Sequence, residues 1–386
     1  MAHASHTAND EIFTLHQQIA RLQALLETSR EVHATIDLEE VFRTVLRIVV
    51  LELELPGALI TNPRMSFGVM PPDPCDGCAR FPFRDRSGEV LAELVVAPRP
   101  GSGLSLDEQD FLDGLILQAS VAVENARYYE RNLSWVRLQR DLEAARQIQQ
   151  SLLPKRMPDI PGCSVAVRSS ACYEVGGDYV DIVSRPDGSY LMVVADVAGK
   201  GLASAIVGTT FRSAFRATAN TELPLPELAA SLNDQHYAEG AEAQRRYVTA
   251  IFLALARDGD TLQIVNAGHN PGFLLLDGTP REVEASGTPV GLLPGMTYAM
   301  EEYRFRPGSR ALLYTDGLTE IFRGDDEFGP ERLKDLFLSC TAGDCDAMLN
   351  SLWQQLAAFS EGAPQQDDMT ALALMRCSPR RENADD

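Results

Sequence analysis

Three apolar runs in this chain each meet aspartate beside a tight turn, and that repetition narrows the folds open to it. "SYLMVVADVAGKGLASAI" reads as a buried strand reaching Asp196, then a turn through Gly199 and Gly201, then a helix. "RALLYTDGLTEIF" is an apolar strand reaching Asp316 with Gly317 behind it, and "QQDDMTALALM" sets Asp367 and Asp368 immediately before a third strand. A lone aspartate before glycine is ordinary turn chemistry. Several strands ending alike can instead gather their carboxylates at one sheet edge, where like charges raise one another's pKa and oppose folding. Divalent cations cancel that cost. An all-oxygen donor set, without histidine or thiolate, points to Mg²⁺ or Mn²⁺ and disfavours zinc.

A fourth acidic segment, "EVGGDYVDIV" at residues 174–183, admits two readings. A diguanylate cyclase hairpin carries two adjacent acids after its glycines; here Tyr179 follows Asp178 and the next acid is Asp181. Residues three apart in an extended segment fall on opposite faces, so spacing alone makes at most one of this pair a ligand. The first piece of a metal site, completed by the later strands, is the better reading.

The 386 residues suffice for two domains of ordinary size, each with its own core. A net charge of −21 leaves no basic stripe to displace counterions, so no nucleic-acid partner is expected, and most of the acidic excess serves solubility. The N-terminus has no basic patch followed by an apolar stretch, and no apolar run approaches the roughly 18 residues of a membrane span. The expectation is a soluble, cytoplasmic protein with no membrane partner. Seven cysteines at irregular spacing are expected as reduced thiols. Cys75 and Cys78 form a lone C-x-x-C, short of the four ligands of structural zinc, and read as a loop pair.

Residues 1–28 read as an N-terminal helix in which Ile12, Leu15, Ile19, Leu22 and Leu26 repeat at spacings of three and four. A short coiled coil giving a homodimer and packing of this helix on its own domain are both open. Residues 29–126 run from an Asp37-capped helix through strands at "GALIT" and "GEVLAELVVAP", around a proline- and glycine-rich middle, to a helix opened by a Ser105–Glu108 capping box. This order, ending in "LSLDEQDFLDGLILQASVAVENA", resembles a GAF-type α/β sensor domain, shortened in its middle, and implies a small-molecule or protein activator there. Residues 127–157 continue as a helical linker, stopped by Pro154, that serves either to transmit rotation or as a passive spacer. Residues 158–377 are strand-rich with interspersed helices, as in a layered α+β domain, and residues 378–386 read as a disordered tail.

The ordered set "GGDYVD", "VADVAGKGLASA", "YVTAIFLAL", "NAGHNPGFLL", "GTPVGLLPG", "LYTDGLTEIF" with "EFGPERL", and "QDDMTALAL" resembles the SpoIIE-like branch of the PPM-type metal-dependent protein phosphatases. The resemblance spans residues 145–377, with "ARQIQQSLLP" similar to the entering helix of bacterial members. It implies an α-β-β-α sandwich with two metal ions, Mn²⁺ or Mg²⁺, at one end of the paired sheets. Asp196 would bridge both ions, the Val197 carbonyl would help hold one, Asp178 would complete one side, and Asp316 and Asp367 would hold the other ion. Asp181 and Asp368 match motif positions without an assigned role, and Gly177 matters through its backbone. A water activated between metals about 3.5–4 Å apart would attack phosphorus in line and expel a serine or threonine alkoxide, with no phosphoenzyme. The implied substrate is a phosphorylated protein, a STAS-domain anti-sigma-factor antagonist.

The sequence also departs from relatives. Animal members carry a histidine just after the bridging aspartate and many bacterial members carry one where Lys200 stands, so the proton donor is unassigned. Arg212, Arg216, Arg245, Arg246 and Arg323 are phosphate-binding candidates by charge alone, each more often a solvated residue. His269 in "NAGHNPG" reads as a turn-stabilising residue, and Asp325, Asp326 and Glu327 as a solvated loop. The competing class is a non-catalytic sensor or scaffold that binds a partner through a phosphatase-like domain.

Overall fold

The computed structural model describes residues 23, 26–70, 77–97, 99, 101–152, 154, 157–341 and 343–377. The apolar stripe upstream of Leu26, Cys75 and the C-terminal tail lie outside these residues. The chain divides into two compact units, residues 1–139 and 140–386.

In the first unit, helix α1 (Leu38–Glu52) starts where the Asp37 carboxylate accepts the Glu40 N–H at 3.0 Å. Four strands, β1 (Gly57–Ile60), β2 (Met65–Gly68), β3 (Ala79–Arg84) and β4 (Val90–Val96), form an antiparallel sheet in the order β2-β1-β4-β3. β1 and β4 are the two strands legible in the sequence. β2 and β3 occupy the stretch read as turns, because Gly68 and Pro82 sit on edge strands, where glycine and proline are tolerated. Helix α2 (Leu106–Leu152) begins at the expected capping box: Ser105 N donates to Glu108 Oε2 at 2.7 Å, and Glu108 N to Ser105 Oγ at 3.3 Å. Phe42, Val45 and Val49 of α1 share one core with Ile60, Phe83, Leu94 and with Leu112, Leu115 and Ala119 of α2.

The cysteine expectation needs correction. Cys78 is disulfide-bonded, whereas Cys163, Cys172, Cys340, Cys345 and Cys377 are thiols outside any disulfide. Cysteines separated by two residues can come within bonding reach, so a lone C-x-x-C is no argument for reduced sulfur.

The second unit is a four-layer α-β-β-α sandwich. With β5 (Cys163–Ser170), β9 (Thr261–Ala267), β11 (Thr279–Val283) and β12 (Glu301–Arg304) beside the strands bounded below, one sheet has the order β12-β9-β8-β7-β6 and the other β11-β10-β13-β16-β5, all antiparallel. The strands that matter for the site are β6 (Tyr179–Ser184), β7 (Tyr190–Val197), β8 (Val248–Leu255), β10 (Gly272–Leu276), β13 (Arg310–Tyr314) and β16 (Met369–Arg376). Their apolar runs are continuous because both faces are covered, and period-two alternation sorts each run between two cores. In β7, Met192 and Val194 face the other sheet with Ile251, Leu253, Leu313, Leu372 and Leu374. Leu191, Val193, Ala195 and Val197 face helices α3 (Leu202–Ala219) and α4 (Leu225–Ala238), against Phe211, Phe215 and Leu228. On the far side, Ala371 and Ala373 of β16 lie under α5 (Gly329–Ser339) and α6 (Cys345–Ser360), against Phe337, Leu349 and Leu352. Each such aliphatic side chain contributes about 1.5–3 kcal/mol relative to an exposed one. Asp326–Glu327 is not a plain loop: it pairs with Phe322–Arg323 in a short ribbon.

The same parity positions the acids. Asp196 follows Met192 and Val194 in step, so it belongs to the inter-sheet face at the end of β7; Asp178, two residues before Val180, does likewise at the start of β6. Asp181 has the opposite parity and faces the helix layer with Tyr179.

Candidate metal centre and active site

Four turns meet at this end of the sandwich. Asp178 stands on the turn into β6, Asp196 at the end of β7, Asp316 in the 3-10 turn Asp316–Leu318 after β13, and Asp367 with Asp368 before β16. Glycines let the turns close. A Cβ on Gly317 would fall 2.0 Å from the Asp368 carbonyl oxygen, and one on Gly176 would fall 2.4 Å from Asp368 Oδ2.

Electrostatics shows that the acids share one space. Burial first, then Asp196 and Asp368, drive the Asp178 carboxyl well above the usual range. Burial, then Asp316, Asp367 and Asp368, push Asp196 up to about 7. Burial and Asp367 raise Asp316. Such mutual repulsion is what a cation relieves.

Other contacts hold the acids in position. Thr315 Oγ1 donates to Asp178 Oδ2 at 2.7 Å. Asp368 accepts Gly177 N at 2.6 Å and Cys172 N at 2.8 Å, which gives it a role the sequence did not: it ties down the Gly176–Gly177 turn. Gly177 in turn abuts the Val197 carbonyl, since a Cβ there would meet that oxygen at 3.0 Å and Asp196 Oδ1 at 3.3 Å. Lys200, placed by the glycine turn after β7, donates to Asp367 Oδ2 at 2.6 Å and to the Gln366 carbonyl at 3.0 Å. Gln149, near the end of α2, donates to the Gly176 carbonyl at 2.7 Å and accepts Gly176 N at 3.1 Å.

The donor chemistry fits a hard divalent cation: carboxylates and a carbonyl, short of compensating charge. The arrangement is not a finished coordination shell. Among the described residues, no three His, Cys, Asp or Glu side chains stand together so as to hold an ion as they are, with Asp367 on Lys200, Asp368 on two backbone N–H groups and Asp178 on Thr315.

The remaining candidates lie elsewhere. Asp181 is fully buried and binds Arg216 through both carboxylate oxygens, at 2.6 and 2.7 Å, as well as Tyr179 Oη at 2.5 Å and Ile182 N at 2.9 Å. Arg212 donates to the Leu152 carbonyl; Arg245 and Arg246 pair with Glu242; Arg323 pairs with Asp326 and Glu361. None of the five arginines pairs with the acid cluster. His269 does more than close a turn. Its Nε2 donates to the Tyr314 carbonyl at 2.9 Å and its Nδ1 accepts from Thr249 Oγ1 at 2.8 Å, so it links the two sheets beneath the acids. Burial lowers its pKa to about 4, which keeps the ring neutral. Sequence reasoning missed Thr315 and Gln149. The "YTDG" order places a hydroxyl next to an acid, but nothing local says where the hydroxyl points.

Residues 186–376 match the family model described as Stage II sporulation protein E (SpoIIE). The matched stretch holds Asp196, Val197, Asp316 and Asp367 and begins after Asp178. The chain is 26% identical over 263 residues to Protein IcfG of Synechocystis sp., covering 61% of this chain and 41% of that protein. It is 23% identical over 238 residues to the phosphoserine phosphatase RsbU of Bacillus subtilis, covering 61% of this chain and 70% of RsbU. The chain thus spans less than half the length of IcfG. Among solved structures, the SiaA-PP2C domain of Pseudomonas aeruginosa superposes with a TM-score of 0.56 at 21% identity, over 64% of this chain and 99% of that one. The second unit therefore has the PP2C-type fold.

Proposed function

We propose, from the match of residues 186–376 to the SpoIIE family model, that this chain hydrolyses phosphoserine or phosphothreonine on a protein partner with Mn²⁺ or Mg²⁺ as cofactor. The observation that carries this reading is the gathering of Asp178, Asp196, Asp316 and Asp367 at one edge, with the first three held above the ordinary carboxylate range. Asp196 and the Val197 carbonyl would hold both ions between them, with Asp178 on one side and Asp316 and Asp367 on the other. Bound there, divalent ions supply a water of lowered pKa and positive charge facing the phosphoryl oxygens. The chain's own residues orient the donors: Thr315 fixes Asp178, Asp368 fixes the Gly176–Gly177 turn, and His269 fixes the spacing of the sheets.

Likeness to RsbU, named a phosphoserine phosphatase, supports phosphoserine as the group hydrolysed, and the family resemblance implies its carrier, a phosphorylated STAS-domain anti-sigma-factor antagonist. The N-terminal unit, read as GAF-like, would gate the reaction, and two chains would pair through its helices. Within the second unit, the Gln149 contact with the loop of Asp178 is where such gating would act. The test is release of phosphate from a phosphoserine STAS protein and from para-nitrophenyl phosphate, with Mn²⁺, Mg²⁺ or chelator, against Asp196→Asn. Metal-dependent turnover lost in the variant is expected; no turnover of either substrate with metal bound sinks the reading. The scaffold alternative gains if calorimetry detects no Mn²⁺ binding.

A further inference from the structure

Next to the acid edge lies a cavity of about 210 Å³ that the reaction as described does not use. It is smaller than the roughly 300–1,000 Å³ of a small-molecule pocket, and suits a single side chain better than a free metabolite. Trp353, Leu356 and Ala357 form one wall, a single face of α6 at helical spacing, with Phe322 and Met369 also lining the cavity. Gly317 and Gln366 line it too, each one peptide, about 3.8 Å between Cα atoms, from Asp316 and Asp367. The cavity is thus continuous with the turns that carry the acids.

Its lining includes one carboxylate, Glu320, which is exposed and makes no ion pair among the described residues. Arg323, its neighbour in sequence, is committed to Asp326, Glu361 and the Phe359 ring. An apolar wall with an uncompensated carboxylate matches a side chain that is aliphatic along its stem and cationic at its tip.

Resting on the phosphatase reading, we infer that this cavity receives a lysine or arginine of the phosphoprotein substrate, close to the phosphorylated residue, with its stem on Leu356 and Ala357 and its charge on Glu320. Lysine and norleucine bury the same stem, so the difference between them is the exposed salt bridge alone, and a preference of about two- to fivefold for lysine is expected.

The test is a phosphoserine peptide series carrying lysine, norleucine or glutamate in turn at each of four positions on either side of the phosphoserine. The value of kcat/KM with Mn²⁺ is divided, for each enzyme, by that for para-nitrophenyl phosphate. Lysine at one position is expected to exceed norleucine about two- to fivefold and glutamate by more. Glu320→Lys is expected to reverse the order of lysine and glutamate, and Ala357→Phe, which fills the cavity, to flatten the series. No position favouring lysine, or a lysine preference that survives both substitutions, overturns the inference. Failure of the wild-type chain to hydrolyse para-nitrophenyl phosphate with metal would instead remove the phosphatase reading, and this inference with it.

Discussion

Asp178 and Asp181 are three residues apart, the first partly and the second fully buried, and in opposite situations. Asp181 is satisfied: two bonds from Arg216, one from Tyr179 and one from Ile182 N surround it. Asp178 has a hydroxyl partner in Thr315, with Asp196 and Asp368 as its charged neighbours, and its carboxyl is driven toward the neutral form. One turn of the chain therefore supplies a structural acid to the helix layer and an unbalanced one to the inter-sheet edge. The contrast separates a charge placed for stability from charges whose balance comes from a bound cation.

The largest effect comes from removing an edge acid. Asp196→Asn is expected to lower metal-dependent hydrolysis by about three orders of magnitude or more. In chelator at pH 8 the same variant should be more stable than the parent. The folded carboxyl is raised from 3.8 to about 7, so the native state binds the proton more tightly and loses stability as pH rises through that window. At about 1.4 kcal/mol per pH unit, the asparagine would recover roughly 1–4 kcal/mol, read by chemical denaturation. A less stable Asp196→Asn would break the contrast with Asp181.

Arg216→Ala should act in the opposite sense. It leaves Asp181 buried without its cation, which costs about 3–5 kcal/mol, toward the lower end because the Tyr179 and Ile182 bonds survive. Metal affinity should hold, since Asp181 faces the helix layer. A loss of Mn²⁺ binding equal to that of an edge-acid variant would show that the two aspartates belong to one site.

How much of this was legible in the sequence depended on whether the signal was local. Alternation and turn residues marked β7, β8, β13 and β16, and the strand-end acids marked the edge, because both follow from period-two burial and short-range backbone rules. Parity alone also separated Asp178 from Asp181. Not legible were contacts between residues far apart in the chain: Arg216 with Asp181, Gln149 with Gly176, Thr315 with Asp178, and Glu320 beside an apolar cavity. β2 and β3 escaped because edge strands tolerate the glycine and proline that elsewhere mark turns.

His269 gives the next effect, in acid. The ring is buried and neutral, with its pKa lowered from 6.5 to about 4, so its stability contribution is full above pH 6.5 and is lost as pH falls to about 4. The total is at most about 3 kcal/mol. Asp196 slopes the other way across much of this window, so the measurement belongs in the Asp196→Asn background, where unfolding free energy should fall between pH 6.5 and 4. Adding His269→Asn should flatten that limb; an unchanged slope would mean another group titrates.

The smallest effect bears most directly on the edge acids, because Lys200 supplies the one ion pair found among them in the described residues. Its ammonium holds Asp367 as Arg216 holds Asp181, but from a half-exposed position, 50% accessible, where an ion pair contributes about 0–1 kcal/mol. A divalent ion that uses Asp367 must displace it. Lys200→Met should therefore tighten Mn²⁺ binding by about two- to fivefold in calorimetry, with the gain shrinking as salt screens the pair in the parent. Weaker binding in the variant would assign Lys200 the contrary role, holding Asp367 in place for the metal and not competing with it. The edge would then be preorganised by its lysine in the way the helix layer is by its arginine.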